Sequence, residues 1–288
     1  MSASIYEEIT NGIVESLENG VVPWVKPWAT NGSDVPKNAH TGRPYSGVNI
    51  LQLWLSAMQH DFPIQQWLTF NQCKERGGKI IKGSKGTRVL FWKVGEKERD
   101  GKMEKSFVAR SYVVFNVAQC EGINIVQPND VEFDWDMDTG VDDLVAHHKI
   151  DLRHGGDRAY YEPQTDYIRM PMHRRFPDSE NYCATLFHEM THWTGHKDRL
   201  NRNQRGTFGG PDYAKEELVA ELGAAFMCAR MGIVGQLQHE SYIKEWIKVL
   251  KDDKRAIFVA SKLAEQAANY ILDDAINSEV QHDYRIAQ

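Results

Sequence analysis

The chain has 288 residues, 41% hydrophobic and 26% charged, enough apolar material for a packed core and too little bias for a disordered or fibrous chain. Its formal net charge of −6 is uneven: residues 1–125 carry 15 Lys and Arg against 12 Asp and Glu, and residues 126–288 carry 19 against 28. The cysteines, Cys73, Cys120, Cys183 and Cys228, form no Cys-x-x-Cys pair, which argues against a disulfide framework or a cysteine-built zinc site and fits a reducing cytoplasm. No apolar run approaches the ~18 residues of a membrane span, and MSASIYEEIT lacks the pattern of a signal peptide.

Ile5, Ile9, Ile13 and Leu17 recur at helical spacing and predict a helix over 4–19, stopped by Gly20, Pro23 and Pro27. NILQLWLSAMQ (49–59) reads as a buried helix. TFNQCKERGG (69–78) reads as a short helix capped by Thr69 and ended by its glycines. KGSKGTRVLFWKV (82–94) is a glycine turn and a strand, and KSFVARSYVVFNV (105–117) is a second strand. The polar GEKERDGKMEK between them reads as the hairpin connection. From residue 118 periodicity fades, and a linker is expected at 126–140 between domains at 1–125 and 141–288. The second domain is expected to hold a helix near 141–149, a β pair from RAYYEP and DYIRMP, and helices near 179–194, 212–230, 240–251 and 253–272. The fold class is therefore α+β in two domains, the second mainly helical with a small sheet.

Residues 184–200, ATLFHEMTHWTGHKDRL, contain His-Glu-x-x-His. On a helix His188 and His192 sit one turn apart on one face and can reach one ion. Ser179 can cap that helix, Cys183, Leu186, Phe187 and Met190 give it apolar stripes, and Gly195 can end it. Glu189 falls about 100° round from His188, where a general base for a metal-activated water belongs. In DYAKEELVAELGAAFMCARMG (212–232), Asp212 can cap a helix that stops at Gly232. Its Glu217 and Glu221 share a face with the small Ala224 and Cys228. Glu217 is the preferred third ligand. Glu221, one turn on, either bonds a ligand histidine or replaces Glu217.

Asp198 is the rival ligand, because His-x-x-x-His-x-x-Gly-x-x-Asp has metzincin spacing, and His196 lies nearby. Two imidazoles, one carboxylate and an open position suit catalysis, with zinc the default and manganese or another divalent ion compatible. Tyr213, His196 and Tyr167 have the chemistry of oxyanion donors, and DYIRMP is a possible edge strand for a bound peptide. The plainer reading of the same residues is a pair of hydrogen-bonded core histidines and a solvated acidic face.

Basic residues crowd 66–93: Lys74, Arg76, Lys79, Lys82, Lys85, Arg88 and Lys93, interleaved with Trp67, Phe70, Phe91 and Trp92. Cations for phosphates and aromatic faces for bases are what single-stranded nucleic acid requires. Lys74, Arg76, Lys79, Lys82, Lys85 and Arg88, with Trp67 and Trp92, are the DNA-contact candidates. On a strand Phe91 and Trp92 point to opposite faces. KGSKG lacks the spacing of a nucleotide-binding P-loop.

VPWVKPW, PKNAHTGRPYSGVNILQLWL, WLTFNQCKERGGKIIKGSKGTRVLFWK and VVFNVAQCEGI resemble the N-terminal domain of ArdC-type antirestriction proteins, a domain shared with certain plasmid primases. FHEMTHWTGHKDRLNR, YAKEELVAELGAAFMC and YIKEWIKVLKDDKRAIFVASKLAEQAANYIL resemble the zincin-like metallopeptidase domain of the same family. The resemblance implies single-stranded-DNA binding, a zinc metallopeptidase fold and protection of incoming plasmid DNA from host restriction during conjugation. It makes His188 and His192 ligands and Glu189 the catalytic glutamate, and it finds the third ligand within EELVAEL. A host restriction-system protein is then the expected substrate or target. The alternative is a non-catalytic protein that coats DNA or sequesters a restriction enzyme around a mainly structural metal.

Overall fold

Ser4 opens α1 (Ile5–Glu18) with a capping box: its hydroxyl accepts the Glu7 amide, and the Glu7 carboxylate accepts the Ser4 amide at 2.7 Å. The computed structural model describes residues 4–25, 35–99, 102–123, 137–204, 210–233 and 242–272. Contacts divide the chain into two units. One holds α1, the first turn of α2 (Val48–His60), and everything from α4 (Met137–His147) onward. The other holds residues 36–45, the rest of α2 and the elements between it and residue 123.

This division differs from the expected boundary at residue 125. The apolar stripe of α1, Ile9, Ile13 and Leu17, is buried, and the helix packs against α7 (Ile243–Asp252). Thr10 Oγ1 donates to the Lys254 carbonyl at 2.8 Å, and Tyr6 meets Phe258 edge-on at 4.8 Å. Spacing reveals a stripe but not its distant partner. Residues 124–136, which include most of the expected linker, lie outside the described residues, and 137–140 already belong to α4.

The second unit is built on a sheet of order β1-β2-β5-β4, from β1 (Lys37–Asn38), β2 (Gln66–Thr69), β4 (Thr87–Arg99) and β5 (Lys102–Asn116). α2 covers one face: Leu53 and Ala57 pack with Tyr45, Trp67, Val89 and Val114. α3 (Phe70–Glu75) has the expected Thr69 cap, completed by Gln72. β3 (Lys79–Ile80) pairs with β6 (Cys120–Glu121), so the loss of periodicity after 118 does not end the fold. The β4–β5 ladder continues to Arg99↔Lys102. The polar stretch expected as a loop is therefore mostly strand: the ladder is made by backbone groups and needs no apolar alternation.

In the first unit, β7 (Asp151–His154), β9 (Tyr167–Met170) and β8 (Tyr160–Glu162) form a sheet with β9 in the middle, parallel to β7 and antiparallel to β8. DYIRMP is thus the central strand rather than an edge, because β7, unforeseen in the sequence, occupies its other side. Ile168 and Met170 are fully buried beneath α5 (Ser179–Thr194), which packs on β8, β9 and α4. α6 (Pro211–Met231) packs on both α5 and α8 (Ala256–Ile271). Among the described residues no helix is long and apolar enough to cross a membrane.

Candidate metal centre

Asp178, one residue before the expected Ser179, caps α5 by accepting the Asn181 amide at 2.7 Å. α6 starts behind Gly210 with Pro211 in its first turn, so Asp212 lies inside the helix rather than at its cap. α6 ends at Gly232 with φ 68°, the left-handed stop that favours glycine. The two helices meet tightly at a position where α6 has no side chain: a Cβ on Gly223 would lie 2.5 Å from Thr191 Oγ1. Thr191 cannot easily yield, since its hydroxyl donates to the Phe187 carbonyl at 2.8 Å.

This contact brings α6 carboxylates against α5 imidazoles. His188 Nε2 is 3.5 Å from Glu217 Oε2, and His192 Nε2 is 3.6 Å from Glu217 Oε1. Among the described residues, His188, His192 and Glu217 are the group that could hold a metal ion, one donor atom from each lying within 4.8 Å of the others. Four donors ~2.1 Å from an ion stand ~3.4 Å from one another, so the separations suit a shared cation. The donor chemistry, two imidazoles and one carboxylate, also fits a divalent ion.

The outward nitrogens face carboxylates too: His188 Nδ1 lies 3.6 Å from Glu221 and His192 Nδ1 3.3 Å from Glu216. Glu216, Glu217, Glu221 and Glu189 are all buried. Burial opposes a charge on His188, but Glu217 and Glu221 overcome it and raise its pKa to about 10. Burial likewise pushes Glu217 up, yet His188 and His192 hold it down to about 2. Glu216 is lowered against its burial by His192 and Arg202.

Glu189 sits beside His188, and its charge reaches both His188 and Tyr242. Tyr213 hydrogen-bonds Glu217, and its hydroxyl is 3.2 Å from that of Tyr242. Tyr213 is therefore at the site as expected, with Tyr242 added. Tyr167 instead pairs with Tyr160 on the sheet at 3.1 Å under the Arg153 guanidinium. Asp198 stands apart, with its side chain 73% exposed and 3.5 Å from His196. Gly195 does end α5, but at φ −74° the chain does not swing Asp198 inward.

The segment after Gly195 contributes arginines. Arg199 stacks on Trp193 at 3.8 Å and bonds Asp166 at 3.0 Å, tying the β8–β9 turn to the end of α5. Arg202, its side chain 3% exposed, bonds Glu216 at 2.9 Å. Glu216, Arg202, Gln204, Tyr242 and Gly223 are the site residues that sequence reasoning missed. The only sequence signals are the doubled glutamate of KEEL and the glycine two residues beyond Glu221.

In the second unit, Lys74, Arg76, Lys79, Lys82, Lys85 and Arg88 are exposed, and Lys79 pairs with Glu121 at 3.1 Å. Trp92 is 49% exposed. It shares a sheet face with Arg88, and Phe91 lies on the other face against Tyr112 at 5.5 Å. Trp67 is fully buried under α2, which removes it from the stacking candidates. The side chain of Lys93 lies outside the described residues.

Two histidines one turn apart, a glutamate between them and a carboxylate from the next helix define the zincin-like metallopeptidase class, and the family model of that description matches residues 139–263. Residues 3–115 match the N-terminal domain of anti-restriction factor ArdC. The chain belongs to the ArdC antirestriction family. The crystal structure of antirestriction ArdC from plasmid R388 in metal-free form is 37% identical, with TM-score 0.81 over 96% of this chain and 99% of that one. Its Mn(II)-bound form gives 0.79 with the same coverage. The uncharacterized protein y4eC of Sinorhizobium fredii is 35% identical over 96% of this chain and 95% of its own length. DNA primase TraC of Escherichia coli is 35% identical, and this chain spans 27% of it.

Proposed function

We propose that this antirestriction-family protein binds single-stranded DNA through its N-terminal domain and cuts a host restriction-system protein at its metal centre. By this it protects incoming plasmid DNA in the cytoplasm during conjugation. The observation that carries the reading is the convergence of His188, His192 and Glu217 beside the buried Glu189. His188, His192 and Glu217 hold the metal, and Glu221 orients His188. Zinc is the default for such donors, and the Mn(II) bound by the R388 relative makes manganese an equal choice.

When bound, the cation would acidify a water and polarise a peptide carbonyl. Glu189 takes the proton from the attacking water at its carboxylate and delivers it to the leaving amine. The Tyr213 hydroxyl donates to Glu217, and the Tyr242 hydroxyl, 3.2 Å from it, donates to the developing oxyanion. On the DNA side, Trp92 stacks a base, and Lys74, Arg76, Lys79, Lys82, Lys85 and Arg88 follow the phosphates.

The test compares host proteins after exposure to the wild type and to Glu189→Ala, with and without single-stranded DNA. A host protein should be cleaved by the wild type alone, faster with DNA. Full antirestriction by Glu189→Ala, with metal retained, would replace this reading with the non-catalytic one.

A further inference from the structure

We propose that Glu216, gripped by Arg202 and Gln204, is a positioning residue for His192, and that the segment after Gly195 exists to supply this clamp rather than a ligand. The proposal rests on the ligand set given above. An imidazole offers Nε2 to a cation only when its proton sits on Nδ1, and that N–H then needs an acceptor in a fixed place. For His188 the acceptor facing Nδ1 is Glu221. For His192 it is Glu216, which is adjacent in sequence to the ligand Glu217. His192 is therefore bracketed by neighbouring carboxylates, one at each ring nitrogen.

Something must hold the two carboxylates to different tasks, and the structure assigns that to Arg202. Its Nε lies 3.2 Å from Glu216 Oε2, and its Nη2 lies 2.9 Å from Glu216 Oε1. The same guanidinium donates to Thr194 Oγ1 at 2.7 Å and to the Thr191 carbonyl. Gln204 Nε2 spans the same gap, 3.2 Å from Glu216 Oε1 and 2.6 Å from the His192 carbonyl. The clamp thus grips Glu216 on α6 and the last turn of α5 together.

Gly195 makes room for it. A Cβ there would lie 2.5 Å from Gln204 Nε2 and 3.0 Å from Arg202 Nη2, so any side chain at this position would push the two clamp residues from their places. The glycine that in sequence promises to turn Asp198 onto the metal instead admits Arg202 and Gln204. Arg202 also offsets one of the four carboxylates, Glu189, Glu216, Glu217 and Glu221, buried around the two histidines.

The experiment titrates the metal-free full chain with Mn2+ by calorimetry and records the visible spectrum of its Co2+ form. Thermal unfolding without metal selects the folded variants. Glu216→Ala and Arg202→Met should weaken Mn2+ binding about 10–100-fold, the range seen when orienting partners are lost, and should alter the Co2+ spectrum. Glu216→Gln should recover most of the affinity, since its amide oxygen still accepts the Nδ1–H. Arg202→Lys should recover little, because one ammonium cannot span Glu216, Thr191 and Thr194.

If Glu216→Ala cannot be purified folded, the contrast between Glu216→Gln and Arg202→Lys decides. Wild-type affinity and spectrum in every folded variant, with only the melting temperature lowered, would overturn the proposal. Glu217→Ala separates the two layers. Its loss of metal alongside normal binding by the Glu216 variants removes the clamp alone, and its retention of metal removes the ligand set beneath it.

Discussion

Around His188 and His192 four carboxylates are buried, and those on α6 face an imidazole, a guanidinium or both. On β4, Arg88 and Trp92 stand in solvent. The contrast separates two ways of using charge. Burying an ion costs several kcal/mol unless geometry and partners restore it, so α5 and α6 must fix their charged groups before any ligand arrives. Exposed cations bear no such cost and no such precision. They act by number and at range, and salt screens them.

The largest expected effect lies in the buried region. Glu217→Ala should lower Mn2+ affinity by more than about 100-fold, beyond the range for lost orienting partners, with little dependence on salt, as calorimetry at two ionic strengths would measure. Near-normal binding would mean that the carboxylates are no more committed than the surface lysines.

The next test sets one tryptophan against another. Trp67→Ala should cost about 3–5 kcal/mol of stability, read by denaturant unfolding, and leave the DNA affinity of the folded fraction unchanged. Trp92→Ala should leave stability alone and cost about 1–3 kcal/mol in single-strand binding. A DNA defect specific to Trp67→Ala would reverse the assignment.

Proton linkage follows in size. The His188 pKa of about 10 lies above the ordinary ~6.5 of an unfolded histidine. In the metal-free protein its stabilising contribution is therefore complete below ~6.5 and lost as pH rises through about 10. A cation must displace that proton, so Mn2+ affinity should rise with pH from 7 to 9, by up to about tenfold per unit for one proton. Calorimetry in buffers of different ionisation enthalpy counts the protons released, and a pH-independent affinity with no release contradicts the site as described.

The smallest effects belong to the surface. Lys82→Gln or Lys85→Gln should each flatten the salt dependence of single-strand binding by about 0.7 in log–log slope. Asp198→Ala should leave metal affinity within about twofold, in keeping with the ~0.5 kcal/mol ceiling of ordinary surface changes.

Much of this was legible in the chain because local rules produced it. The Thr69 cap, the 179–194 helix and the Gly232 stop follow from residues a few positions apart. His188, His192 and Glu217 meet because helical period and a small-residue stripe are both visible in sequence. What escaped depends on contacts between distant segments. The parallel β7–β9 pair, the burial of Trp67 under α2 and the reach of Arg202 to Glu216 have no periodic signature. The metzincin-like tail misled for a related reason: spacing gives Gly195 and Asp198 but not the Gln204 side chain that fills the space beside that glycine.

The docking of α1 on α7 has a consequence for how the molecule is made. Thr10 and Lys254, joined by a hydrogen bond, are 244 positions apart, and the whole β1–β6 unit is inserted between them in the chain. Contacts of such separation are the slow ones to form. During synthesis α1 therefore waits with its apolar stripe unpaired by α7 until residues 243–252 have emerged. The unit that holds α1 and α7 cannot finish folding before the inserted β1–β6 unit has been synthesised, so a chain truncated ahead of α7 leaves α1 without its partner.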